Sequence, residues 1–183
     1  MDEFDDYAGL FAEQGDFDIP ENYNLGVSWQ ATPQLRLAMD YQRINYSDVN
    51  SIANASLVPF PLGSDSGPGF GWSDVDVWKF GVEYKHNPAW TYRAGYNHGD
   101  NPISSSDVTF NILAPGVVQD HVTLGFTNTL QSGDEWSMSF MYAFNEEVSG
   151  ASILPVFQGG SPAGTETIEM YQWSLGVQYS WKM

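Results

Sequence analysis

From Tyr171 to Trp181, apolar and polar residues alternate without a break. Tyr171, Trp173, Leu175, Val177, Tyr179 and Trp181 take the odd positions, and Gln172, Ser174, Gly176, Gln178 and Ser180 the even ones. Successive side chains of a strand point to opposite faces, so this run has one apolar wall and one hydrophilic wall. The same period of two recurs in six earlier stretches. The predicted strands cover about 22–30, 35–46, 75–85, 90–98, 121–131, 135–146 and 168–182. The second changes phase after Gln42, where Ile44 and Tyr46 take over, which marks either a bulge or an exit from a membrane zone.

The connections alternate in length. Those at 31–34, 86–89 and 131–134 are tight, whereas those at about 47–71, 98–118 and 148–166 are long and rich in Gly, Pro, Ser and Asp. A soluble sheet would turn its apolar wall inward; a membrane barrel turns it toward lipid, with short turns at one end and long loops at the other. Trp29, Trp90 and Trp136 each border a tight turn, and Trp181 lies at that same end. Amphipathic rings gather this way at a membrane interface, and a soluble sandwich has no reason to collect them there. The pattern predicts an all-β, transmembrane antiparallel β-barrel of the outer-membrane type. This chain supplies about seven strands (residues 22–183), and residues 1–21 form a loop ahead of them. In that loop Phe4, Tyr7, Ala8, Leu10 and Phe11 recur at helical spacing among acidic residues. They predict a short amphipathic helix ended by Gly15 and Pro20, which packs on neighbouring loops, faces a ligand, or does both. An odd strand number does not close a typical single-chain bacterial barrel, so the expectation is part of a larger one.

Composition narrows the function. Six basic residues stand against 23 acidic ones, a net charge of −17, which argues against any nucleic-acid partner. There is no cysteine, so disulfides and thiolate chemistry are excluded. No apolar run approaches the roughly 18 residues of a membrane-spanning helix. Met1 is followed by Asp2, Glu3, Asp5 and Asp6, so no signal peptide is expected in this chain. Arg36, Lys79, Lys85, Arg93 and Lys182 fall on the polar wall. Face matching across the 86–89 turn sets Glu83 opposite Arg93, a predicted lumenal ion pair. These charges serve the structure of a polar lumen or a transport path. His86, His98 and His121 supply no activated nucleophile, so no enzyme activity is expected. Asp65, Asp74, Asp76 and Asp100 lack the regular spacing of a calcium loop, and neither a metal nor another cofactor is expected.

Several stretches resemble one family. They are Asp5 to Tyr23 (Asp-Asp-Tyr-Ala-Gly-Leu-Phe-Ala-Glu-Gln-Gly-Asp-Phe-Asp-Ile-Pro-Glu-Asn-Tyr), Met39 to Ile44 with Tyr46 to Val49, and Gly67-Pro68-Gly69-Phe70-Gly71-Trp72. Arg93 to Asn97 followed by Asn101-Pro102-Ile103, and Phe110 to Pro115, belong with them. Together they resemble the FadL/TodX family of outer-membrane long-chain fatty-acid and hydrocarbon transporters over essentially the whole chain. The resemblance implies a fourteen-stranded barrel with an N-terminal hatch, of which this chain is the C-terminal half. It implies passive transport of fatty acids or other hydrophobic compounds across the bacterial outer membrane; a general diffusion porin or a structural barrel is the alternative. By the same resemblance residues 1–21 would be an external loop, and Phe4, Tyr7, Leu10 and Phe11 would line the external capture groove. The implied partners are hydrophobic small molecules such as aromatic hydrocarbons, outer-membrane lipid and lipopolysaccharide. Ser174 to Trp181 also resembles the C-terminal signal read by the barrel assembly machinery, here followed by Lys182 and Met183.

Overall fold

A computed structural model describes residues 9–182. Its strands are β1 (Asn22–Gln30), β2 (Leu35–Ile44), β3 (Val75–Asn87), β4 (Trp90–Gly99), β5 (Asp120–Thr129), β6 (Glu135–Gly150) and β7 (Glu166–Ser180). They form one antiparallel sheet in chain order, each strand bonded to its sequence neighbours. No helix among the described residues is long and apolar enough to cross a membrane. Two single-turn helices, α1 (Asn50–Ala53) and α2 (Val108–Asn111), lie in the long loops.

Short polar side chains close the tight turns, as such turns require. After β1 the Thr32 hydroxyl accepts the Leu35 amide at 3.0 Å. After β3 the Asn87 side-chain oxygen accepts the amides of Ala89 and Trp90, both at 2.9 Å. After β5, Gly133 adopts a φ of 90° between Ser132 and Asp134, whose side chains bond at 2.7 Å.

Those turns fix a register that sorts the residues of the seven strands onto two faces. One cross-strand row runs Trp29, Leu37, Val82, Ala94, Leu124, Phe140, Leu175; the next runs Gln30, Arg36, Glu83, Arg93, Gly125, Ser139, Gly176. The apolar face is not covered: Leu25 is 77% exposed, Leu124 61% and Val177 71%. Most buried apolar residues lie instead in the long loops at one end, among them Phe11, Val49, Ile103, Val108, Phe110, Val117 and Ile153. A sheet with a bare apolar face, a polar opposite face and its core displaced into the loops is a piece of membrane-barrel wall.

Two register details were not legible in the sequence. The pairing of β2 continues through Ile44, so the phase change after Gln42 is not a bulge, and Ile44 lies on the same face as Gln42. There the Arg43 guanidinium pairs with Asp74 at 2.9 Å and Asp76 at 3.1 Å. Irregularities lie instead in β3, between Lys85 and Asn87 beside the tight turn, and in β6, between Ala143 and Glu146. Beyond the latter β6 and β7 stay paired to Gly150 and Glu166, above the zone of alternation.

Candidate functional site

The long loops fold onto one another as a cap over one end of the sheet, and α2 is its pivot. All four residues of α2 are buried. Val108 packs with Ile103, Val117 and Ile168, and Phe110 with Phe11 and Ile153. The polar side chains of and around α2 tie three loops together. The Asp107 carboxylate accepts four bonds, from the Ser56 amide (2.7 Å) and from the hydroxyls of Ser56 (2.8 Å), Ser104 (2.6 Å) and Ser106 (2.8 Å). A buried carboxylate so surrounded is satisfied without a counter-ion. Asn111 donates to the carbonyls of Phe70 (2.6 Å) and Asp107 (2.8 Å) and accepts the Trp72 indole at 2.5 Å. Thr109 donates to Glu166 at 2.5 Å. Gly71 has to be glycine on two counts: its φ is 72°, and a Cβ there would lie 2.2 Å from the Asp107 side chain.

An aromatic box stands within this cap. The Phe11 ring stacks on Phe70 with centroids 4.6 Å apart and meets Phe17 and Phe110 edge-on, both at 5.5 Å. Leu10, Phe17, Phe70 and Val156 close around it. Phe11 is only 2% exposed, so in this state its ring fills the box and presents no groove wall. Leu10 is half-buried at the edge of the cluster; Phe4 and Tyr7 lie outside the described residues. The amphipathic helix expected here falls partly on those same residues. Where the chain is described, it holds only a short turn, Ala12–Gly15, in which Glu13 and Gln14 are left-handed rather than helical. The reason is competition for amides: Ala12, Glu13 and Gln14 donate to the carbonyls of Pro68 (2.7 Å), Ser64 (3.3 Å) and Gly63 (3.2 Å) rather than to the preceding turn.

The opposite, polar face of the sheet is a trough of about 880 Å³. Within it Arg93 donates to Glu83 at 2.8 Å and to the Thr127 hydroxyl at 2.8 Å. Arg36 bonds to Gln30 and Lys79 to Gln42. The trough is open because its middle rows carry Ala38, Gly81, Gly95, Gly125 and Gly176. At the turn end of the outer face, Trp90 and Trp136 lie 6.4 Å apart, and the Trp136 indole donates to Asn128 at 3.0 Å. Trp29 pairs with Leu37, in the row of Ala94 and Leu124 rather than that of Trp90 and Trp136, and Trp181 is 68% exposed beyond the end of β7.

Several acidic residues of the loops have structural partners. Asp74 accepts the Ser47 amide at 2.9 Å, and this bond, aided by the Ser47 hydroxyl and Arg43, holds its carboxyl below the usual range. Asp100 accepts the Asp76 amide at 3.1 Å. His98 pairs with Asp120 at 2.8 Å. Among the described residues no group of His, Asp and Glu is arranged to hold a metal ion. The sequence pattern did not single out Phe17, Phe70, Phe110 and Ile153 as members of one site, because loop residues so far apart share no period. The available signals were the density of aromatic and apolar residues in otherwise Gly- and Pro-rich segments and the family-like stretches that contain Phe17, Phe70 and Phe110.

Comparison with known proteins follows the same lines. The family described as outer membrane protein transport protein (OMPP1/FadL/TodX) matches residues 12–180. Among solved structures, the Pseudomonas putida toluene transporter TodX is 18% identical with a TM-score of 0.59, over 92% of this chain and 36% of its own. A FadL homologue of Pseudomonas aeruginosa is 19% identical with a TM-score of 0.61, over 90% of this chain and 35% of its own. The Ralstonia pickettii toluene transporter TbuX is 16% identical with a TM-score of 0.50. No match is found among curated proteins. The chain thus spans about a third of the structures it resembles, and at these identities the likeness is one of fold. With the family matched along nearly all its length, the chain belongs to the outer-membrane transport proteins of the OMPP1/FadL/TodX family.

Proposed function

We propose that this chain forms part of the wall and the external cap of a channel that carries hydrophobic compounds passively across the bacterial outer membrane. One observation carries the reading: an aromatic, loop-built box sits at the mouth of a sheet whose outer face is apolar and whose inner face is polar. Lipopolysaccharide and a water-filled pore both resist apolar solutes, so a path for them has to begin with an apolar receptor outside. A mostly apolar concave site with few polar groups is what such a receptor requires. Phe4, Tyr7 and Leu10 keep the capture role proposed from the sequence, and Phe11 occupies the box. Fatty acids and aromatic hydrocarbons are the substrate classes; the similar TodX and TbuX are toluene transporters, which supports the aromatic class. Lipopolysaccharide and outer-membrane lipid surround the wall, and the barrel assembly machinery inserts it. The polar network around Asp107 works to hold the loops, not to do chemistry, and the protein acts without a cofactor.

The test is uptake by vesicles containing the full-length protein. Toluene and a fluorescent long-chain fatty acid should enter faster than into empty vesicles, with saturation, while small sugars gain no route. Replacing Phe4, Tyr7 and Leu10 with alanine should raise the half-saturating concentration without loss of folding. Entry of sugars with no effect on the hydrophobic probes would instead mark a general diffusion porin and overturn the reading.

A further inference from the structure

Phe11 is surrounded as a bound aromatic ligand would be. One ring lies flat against it and two meet it edge-on, with Ile153 completing the box. The backbone just after it is unusual. Glu13 and Gln14 are consecutive non-glycine residues with φ of 53° and 59°, and Gly9 (88°) and Gly15 (79°) flank the pair in the same left-handed region. Residues with a Cβ seldom take that conformation, and they persist there only where the surroundings impose it. Strain of this kind collects at clamps and switches.

What imposes it is a set of polar fastenings to residues 50–68, separate from the box. Besides the three amide bonds to Pro68, Ser64 and Gly63, the Gln14 side chain donates to the Gly63 carbonyl at 2.6 Å. The Asn50 side chain donates to the Glu13 carboxylate at 2.9 Å. Glu13 and Gln14 are themselves exposed, so groups freed on release regain water.

We propose that the segment 9–17 is a displaceable clip whose Phe11 ring occupies an aromatic binding box, and that the box's ligand is a phenyl-sized apolar group. An entering aromatic ring replaces the contacts of the departing one almost one for one. The balance then rests on relief of the left-handed pair against loss of the fastenings. An occupied box also spares the protein an exposed apolar hollow while no ligand is present. This inference rests on the external-capture reading above and adds that capture proceeds by exchange with the protein's own ring.

A Phe11→Ala variant would leave a ring-sized apolar hole that takes up an aromatic whatever the native role of Phe11, so the informative changes are in the fastenings. In the full-length protein, Gln14→Ala combined with Asn50→Ala should tighten toluene binding about tenfold, because a competitor held less firmly is displaced more easily. Saturating toluene should also raise hydrogen exchange at the Ala12, Glu13 and Gln14 amides, which lose their carbonyl partners on release. Unchanged or weaker toluene binding in the double variant, or protection of those amides by toluene, would overturn the clip while leaving external capture standing. Absence of any saturable toluene binding in both proteins would overturn the capture reading, and the clip with it.

Discussion

Leu124 and Thr123 are adjacent residues of β5, and exchanging each for lysine separates the two faces of the sheet. Leu124 lies midway along the strand, in register with Ala94 of β4 and Phe140 of β6, and is 61% exposed with no protein layer over it. If that face meets lipid, a lysine there places a charge near the middle of the bilayer, at a cost of about 2–4 kcal/mol. At about 1.4 kcal/mol per factor of ten, the folding equilibrium falls by roughly 30- to 1,000-fold. Thr123 faces the other way, in register with Gly95 and Met141, and its hydroxyl lies where a Gly95 Cβ would come within 2.6 Å. A lysine at 123 extends along the open trough and stays in water, so its cost is within about 0.5 kcal/mol. The assay is urea unfolding of the full-length protein in lipid vesicles, read by the mobility shift between unheated and boiled samples on a gel. Equal costs for the two variants, or a larger cost at Thr123, would refute the assignment of the apolar face to lipid.

Two further outcomes test the cap. Asp107→Ala leaves the Ser56 amide and three serine hydroxyls without their acceptor inside the cap; at about 1–3 kcal/mol for such losses, protease should cut the 47–74 and 100–119 loops faster on intact cells, with the barrel still resistant. Asp74 provides a pH dependence: its folded pKa is depressed chiefly by the Ser47 amide bond, so its contribution is fully present above the ordinary carboxylate value of about 3.9 and is lost as pH falls through the lowered folded value. Exchange at the Ser47 amide should accelerate across that acid window, and Asp74→Asn should remove the dependence.

Strand existence and facing were legible because they are local. A strand with lipid on one side and a wet lumen on the other has to alternate at every residue, and the turn residues Thr32, Asn87 and Gly133 punctuate it. Glu83 and Arg93 lie within a single hairpin, so the turn alone decides which residues face each other. The β6 irregularity at Ala143 and Glu146 was not legible, because a bulge shows only when two strands are paired. In the segment around Phe11, helical spacing pointed to a helix, but the carbonyls of Gly63, Ser64 and Pro68 take the amides that a helix would have used. Those carbonyls lie some fifty residues away in sequence, and nothing local announces them.

By itself, then, the sequence determined an all-β membrane wall, its apolar outer face and polar inner face, and the alternation of tight turns with long loops. Only the tertiary structure decided that Phe11, Phe17, Phe70, Phe110 and Ile153 meet in one box, that Asp107 and Asn111 bind the loops together, and that Glu13 and Gln14 are held left-handed. The physical reason is that a period-two pattern is imposed by the surroundings of each strand residue in turn. A loop-built site is imposed by contacts between segments that share no period, and only the completed sheet brings them together.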